Sequence, residues 1–191
     1  MKSNGGNQMK NAALVIMAVF MMTAVSMAAA PSHKYVGAEV CAMCHRTPKS
    51  GEQFQKWQAS KHSQAMKVLT SPEALKIAKE KGIKGSPDQA PECLQCHQTA
   101  YGVEASLIGP RFNKQDGVQC EACHGPGSDY MKMNIMKNEK EAVANGLVLV
   151  SVSDGSAEQL CERCHNKKSP TFKSFDFKSM WSQIAHPVPK Q

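Results

Sequence analysis

Aromatic side chains are scarce: Phe, Trp and Tyr make up 6% of the 191 residues, and there are 2 tryptophans. A domain of this size normally builds its core on such rings, so the apolar filling has to come from something else. No cysteine stands outside four short clusters. That argues against a disulfide framework, since adjacent Cys-x-x-Cys pairs rarely staple a fold. Acid is also in short supply, with 16 Asp and Glu against 23 Lys and Arg, for a formal charge of +7. An excess of this sign ordinarily points to nucleic acid or a membrane surface. Beyond the N-terminal region no long apolar run is present, so nothing there is expected to insert stably in a membrane.

What is present is one pentad, repeated. All 8 cysteines fall in four copies of Cys-x-x-Cys-His: Cys41–His45, Cys93–His97, Cys120–His124 and Cys161–His165. This pattern is the attachment signal for c-type haem. The thiols of Cys41 and Cys44, Cys93 and Cys96, Cys120 and Cys123, and Cys161 and Cys164 would add across haem vinyl groups. His45, His97, His124 and His165 would each bind an iron from one side. Cys-x-x-Cys alone also serves zinc sites and redox pairs, but two all-cysteine zinc sites leave four consistently placed histidines without a task. The expectation is four covalently bound haem c groups that themselves form the core. The fold is then mainly α, with short helices wrapped around the cofactors and little or no β-sheet, and the haem-free chain should not fold well. Haem propionates would absorb most of the basic excess, so nucleic acid is not an expected partner.

At the N-terminus, Lys10, the apolar run Ala12 to Val25 and Ser26-Met27-Ala28 have the layout of a signal peptide. The expected division is residues 1–28 as signal and 29–191 as a tetrahaem cytochrome domain, periplasmic or extracellular after export. An uncleaved anchor is the weaker alternative, because Thr23 and Ser26 interrupt a run near the lower length limit for a span. Removing Lys2 and Lys10 with the signal takes the charge from +7 to +5.

Along the mature chain, Phe54 to Leu69 reads as a helix, and Ser71 with Pro72 opens a second that Gly82 ends. Pro91 starts the short helix carrying Cys93. Only 22 residues separate His97 from Cys120, which predicts that the second and third haems are close neighbours. After Gly125-Pro126-Gly127, Ser128 or Asp129 should cap a helix to about Ala144. Leu147 to Val152 is β-branched enough for a short strand, and Ser156 to Gln159 has the form of a capping box. Asp176 caps a last helix striped with Phe177, Met180, Trp181 and Ile184.

Low-spin electron-transfer haems need two axial ligands each, and the chain has 7 histidines. After the four proximal ones, His33, His62 and His186 remain, so at least one haem lacks a second histidine from this chain. His62, on a predicted helix, and His186, behind an apolar stripe, are the expected distal ligands. His33 sits in a loose entry segment, where it is as readily a free side chain as a ligand to its own or a neighbouring chain. Met131, Met133 and Met136 are a further ligand source, though methionines at helical spacing more often fill a core.

Three stretches in order resemble the cytochrome c-554 family, tetrahaem carriers in hydroxylamine oxidation. They are the first pentad with Trp57…His62…Ala65-Met66, Asp116-Gly117-Val118-Gln119 leading into Cys120…His124-Gly125-Pro126-Gly127, and Phe175-Asp176-Phe177…Met180 ending in His186. The resemblance implies that His62 and His186 are distal ligands to the third and first haems, and that the haem on His97 is five-coordinate. It also implies a distal histidine soon after the Gly-Pro-Gly turn, where this chain has Asn134 among methionines. The leading functional expectation is an electron carrier between redox protein partners in a respiratory chain, not an enzyme. The alternatives are a reductase of nitrogen oxides or peroxide at an open haem, and a self-associating subunit of a conductive filament.

Overall fold

The computed structural model describes residues 33–186. The signal-peptide segment and its cleavage site lie outside the described residues. Within them the architecture is helical, as expected. Nine α-helices are described, from α1 (Ala38–His45) and α2 (Gln53–Gln58) through α3 (Pro72–Glu80) and α4 (Pro91–His97) to α5 (Cys120–His124). They continue with α6 (Met133–Met136), α7 (Glu139–Ala144), α8 (Ser156–Glu162) and α9 (Phe177–Ile184). Among the described residues the only β-pairing is an isolated parallel bridge between Tyr35 and Ile108. No helix among the described residues is long and apolar enough to cross a membrane.

Local chemistry sets several boundaries as expected. Ser71 accepts from the Ala74 amide with Pro72 at N1, and the Ile83 amide returns to Ala78 O past a left-handed Gly82. Asp176 Oδ1 accepts from the Ser179 amide to cap α9.

Other boundaries differ from expectation. The helix read from Phe54 to Leu69 ends at Gln58, because Ser60 Oγ donates to Trp57 O and Ser63 Oγ to Gln58 O and Ser60 O. Those hydroxyls compete with the helical ladder and turn the chain. The helix read from 128 to 144 is two short ones, separated where Asn138 caps α7 through the Glu141 amide. Leu147 to Val152 has no strand partner and lies instead against the third pentad, the Val148 amide donating to His124 O at 2.9 Å. The α8 start is right but its expected cap is not: Gly155 is the N-cap, while Ser156 Oγ donates to Ser151 O.

The apolar core is thin. One cluster gathers Ala38, Ala42 and Phe54 with Trp57 and Cys120; a second gathers Met66, Leu69 and Leu94 with Cys93. The largest fully buried side chains are Gln119, Glu121 and Pro87, not aliphatic or aromatic ones. Both apolar clusters contain a pentad cysteine, so what protein core there is packs around the pentads.

Candidate haem sites and their histidines

Each pentad lies on its own short helical segment, α1, α4, α5 or the end of α8 with the turn after it. One helical turn brings the two thiols and the histidine of a pentad to the same neighbourhood. All eight cysteines are unbridged. Among the described residues no three His, Cys, Asp or Glu side chains converge to hold a metal ion by themselves.

The thiols approach one another between pentads. Cys120 beside Cys41 pushes the Cys41 thiol well up, and Cys41 draws Cys120 down. Cys164 is pushed up to about 12 by burial and the nearby Cys96, and Cys123 to about 11 by burial and Cys161. These encounters place the first pentad beside the third, the third beside the fourth and the fourth beside the second. The direct second-to-third neighbourhood expected from the short linker takes a different form. Thr99 and Gly117 join the two backbones at 3.0 Å, while the thiols point to other partners.

The histidines show a common orientation. Nδ1–H donates from His97 to Ala65 O at 2.6 Å, from His124 to Val148 O at 3.2 Å and from His45 to Gln53 Oε1 at 3.3 Å. His186 does the same to Ile184 O at 2.7 Å. Fixing the proton on Nδ1 leaves the Nε2 lone pair for a metal. Burial lowers the proton affinity of His62, His124 and His165, so each is held neutral, the form that ligates iron.

Two pairs of imidazoles face each other. His62 and His165 have ring centroids 6.2 Å apart, and His124 and His186 6.1 Å apart. Two metal–nitrogen bonds of about 2.0 Å, with a ring radius of about 1.1 Å at each end, give about 6.2 Å. The spacing of both pairs therefore suits an iron held between two histidines. His165 is further fixed by Phe175, stacked at 5.1 Å and 19°, from which Phe177 and Trp181 continue along α9.

His62 and His186 are thus brought to pentad histidines, but not to those the family resemblance implied. His62 faces the fourth pentad instead of the third, and His186 the third instead of the first. The His62 turn is fixed by the segment before Cys120. The Val118 amide donates to His62 O at 3.0 Å and Trp57 Nε1 donates to Val118 O at 2.7 Å, which hold the His62 turn beside residues 116–119. Among the described residues neither His45 nor His97 has a second imidazole opposite it. His33 is engaged elsewhere, donating from Nδ1 to Asp129 Oδ2 at 2.6 Å with its ring against Gly146. Met131 and Met133 are exposed and Met136 half-buried, so none of the three is core filler.

Sequence reasoning missed two buried polar residues that hold the first and third pentads together. Glu121, inside the third pentad, is 2% exposed and accepts from the amides of Val36, Gly37 and Gly127 at 2.7–3.1 Å. Gln119 is 1% exposed; it accepts from the Ala38 amide at the start of α1 and donates to Asn113 O. An acidic residue between the cysteines of a pentad, next to a Gly-Pro-Gly turn with free amides, was the available signal.

Unbridged paired thiols, Nδ1-anchored imidazoles and two histidine pairs at iron-spanning distance define a c-type cytochrome, with haem c bound covalently. The family described as cytochrome c554 and c-prime matches residues 40–125. Cytochrome c-554 of Nitrosomonas europaea is 30% identical over 163 residues, which is 80% of this chain and 66% of that protein. The solved reduced state of cytochrome c554 from Nitrosomonas europaea has a similar fold, with a TM-score of 0.51 and 21% identity. That match covers 79% of this chain and 78% of the other. The chain belongs to the cytochrome c-554 family.

Proposed function

We propose that the chain is an exported electron carrier holding four haem c groups, one on each pentad. Haem, when bound, supplies a one-electron iron couple. The observation that carries the reading is the pairing of His62 with His165 and of His124 with His186, at ring-centroid distances of 6.2 and 6.1 Å. On this reading the four attachment sites form one path, from the second pentad through the fourth and third to the first. The proximal histidines would hold the irons, with His62 and His186 completing two of them, and burial keeps His62, His124 and His165 neutral. Axial ligation, burial and nearby charge set the potentials along the path.

The partners on this reading are redox proteins, a donor and an acceptor in a respiratory chain, and the location is the periplasm or the cell exterior. The carrier reading is preferred to a reductase because neither of two open clefts among the described residues reaches a pentad histidine. The larger, of about 370 Å³, is lined by residues such as Glu39, Gln64 and Gln115 and does not contain a pentad histidine. The test is intact-mass measurement of the purified holoprotein with low-temperature EPR of the oxidised form, with and without nitric oxide. Four haems, with low-spin signals from the irons on His124 and His165, are expected. Fewer than four haems, or high-spin iron at both of those sites, would sink the proposal. High-spin iron elsewhere that turns over nitric oxide would move the assignment to the reductase.

A further inference from the structure

The turn that presents His62 also holds the second pentad. His62 O accepts from the Ala65 amide at 3.2 Å and from the Val118 amide at 3.0 Å. Ala65 O in turn accepts from His97 Nδ1–H at 2.6 Å. Gly117 closes the circuit. Its carbonyl accepts from both the amide and the hydroxyl of Thr99, two residues after His97, each at 3.0 Å. Thr99 Oγ1 also accepts from the Gln119 amide at 2.7 Å. The other face of Gly117 lies against the turn itself, where a Cβ would stand 2.5 Å from His62 O and 3.1 Å from the Ala65 amide nitrogen. Thr99, Gly117, Ala65 and Met66 are all buried.

We infer that the His62–Ala65 turn is one positioning element for two irons: it presents His62 opposite His165 and, through the Ala65 carbonyl, orients His97. The inference rests on the proposed ligation of the second and fourth haems. A hydrogen bond to Nδ1–H raises the basicity of the imidazole and fixes its ring orientation. Moving the turn therefore changes the ligand strength of His97 and the distance of His62 from the opposite ring together.

The test uses two variants of the full holoprotein, with haem content fixed first by intact mass. Gly117→Ala pushes on the turn backbone, at a left-handed φ of +70°. His62→Gln removes the ligand and leaves the turn. The readouts are the EPR spin state of the haem on His165 and the NMR position of the His97 Nδ1 proton. Gly117→Ala is expected to lose the low-spin signal of the haem on His165 and to shift the His97 proton. His62→Gln should lose the low-spin signal alone. The inference is overturned if Gly117→Ala leaves the His97 proton in place, or if His62→Gln shifts it as far. Should Gly117→Ala not yield holoprotein, Thr99→Val, which cuts the two hydroxyl bonds and keeps the backbone, is read by the same criteria. A haem content below four, or a haem on His165 that is high-spin before any substitution, refutes the ligation reading itself and is seen in the parent protein.

Discussion

Replacing Glu121 by Gln is a near-isosteric change that tests whether a buried carboxylate, more than apolar packing, holds the first pentad to the third. The carboxylate is 2% exposed and receives three backbone donors, Val36 at 2.8 and 3.1 Å, Gly37 at 2.8 Å and Gly127 at 2.7 Å. Oε1 serves Val36 and Gly127, and Oε2 serves Val36 and Gly37. In the amide one of these oxygens becomes an NH2 group, so either the Gly37 or the Gly127 N–H is left facing a donor. A hydrogen bond to a charged group contributes roughly 1.5–3 kcal/mol, and an orphaned buried donor costs about 1–3 kcal/mol. Allowing for overlap between those figures, the expected loss is about 3–4 kcal/mol. With an m-value of about 2 kcal/mol per molar urea, the unfolding midpoint of the holoprotein, followed by far-ultraviolet circular dichroism, should fall by about 1.5–2 M. The effect should also be local. Hydrogen-exchange protection of the Val36, Gly37 and Gly127 amides should drop by about two to three orders of magnitude. A midpoint shift below about 0.5 M with those amides still protected would refute the reasoning, and the apolar clusters would then carry the junction alone.

The remaining predictions are simpler. His186→Ala should convert the haem on His124 from low-spin to high-spin in EPR while leaving the haem on His165 unchanged; the reverse pattern would contradict the observed pairing. Ala100 holds a left-handed φ of 58°, so Ala100→Gly should raise the thermal midpoint, with a gain of up to about 1 kcal/mol. Gly146→Ala should destabilise by about 1–3 kcal/mol in urea unfolding, because φ is +98° and the added carbon would stand 2.7 Å from His33 Cδ2. The His33 hydrogen bond draws the Asp129 carboxyl below its ordinary value of 3.8. Its contribution is therefore complete above that pH and is lost as the pH falls below it. Asp129→Asn should remove this part of the acid sensitivity, with an effect under about 1 kcal/mol because the carboxyl is partly exposed.

The pentads and the helical class were legible because covalent attachment demands fixed spacing, and His62 and His186 stood out because candidate ligands come from a short residue list. Which pentad histidine each of them lies opposite was not. The His62 turn, for one, is held by the hydrogen bonds of Trp57 and His62 to Val118, across more than fifty residues, and such bonds leave no periodic trace. Helix ends were readable where a cap was local, as at Ser71 and Asp176. They were misread where side-chain hydroxyls competed with the ladder, as at Ser60 and Ser63. Gln119 and Glu121 were passed over for a related reason: a buried polar residue looks like a surface residue until its backbone partners are known. The thin aromatic content, by contrast, was a sound guide, since the largest fully buried side chains are not aromatic and each apolar cluster packs against a pentad cysteine.

Glu121 also bears on the order of assembly. The amides it secures, Val36 and Gly37, belong to the entry to the first pentad, more than eighty residues earlier. A chain made from its N-terminus therefore presents Cys41 and Cys44 long before the residue that fastens their helix exists. Until Glu121 follows, the helix of the first attachment site lacks that fastening. The third pentad thus closes the first: the two ends of this junction come from opposite halves of the chain, and neither is finished without the other.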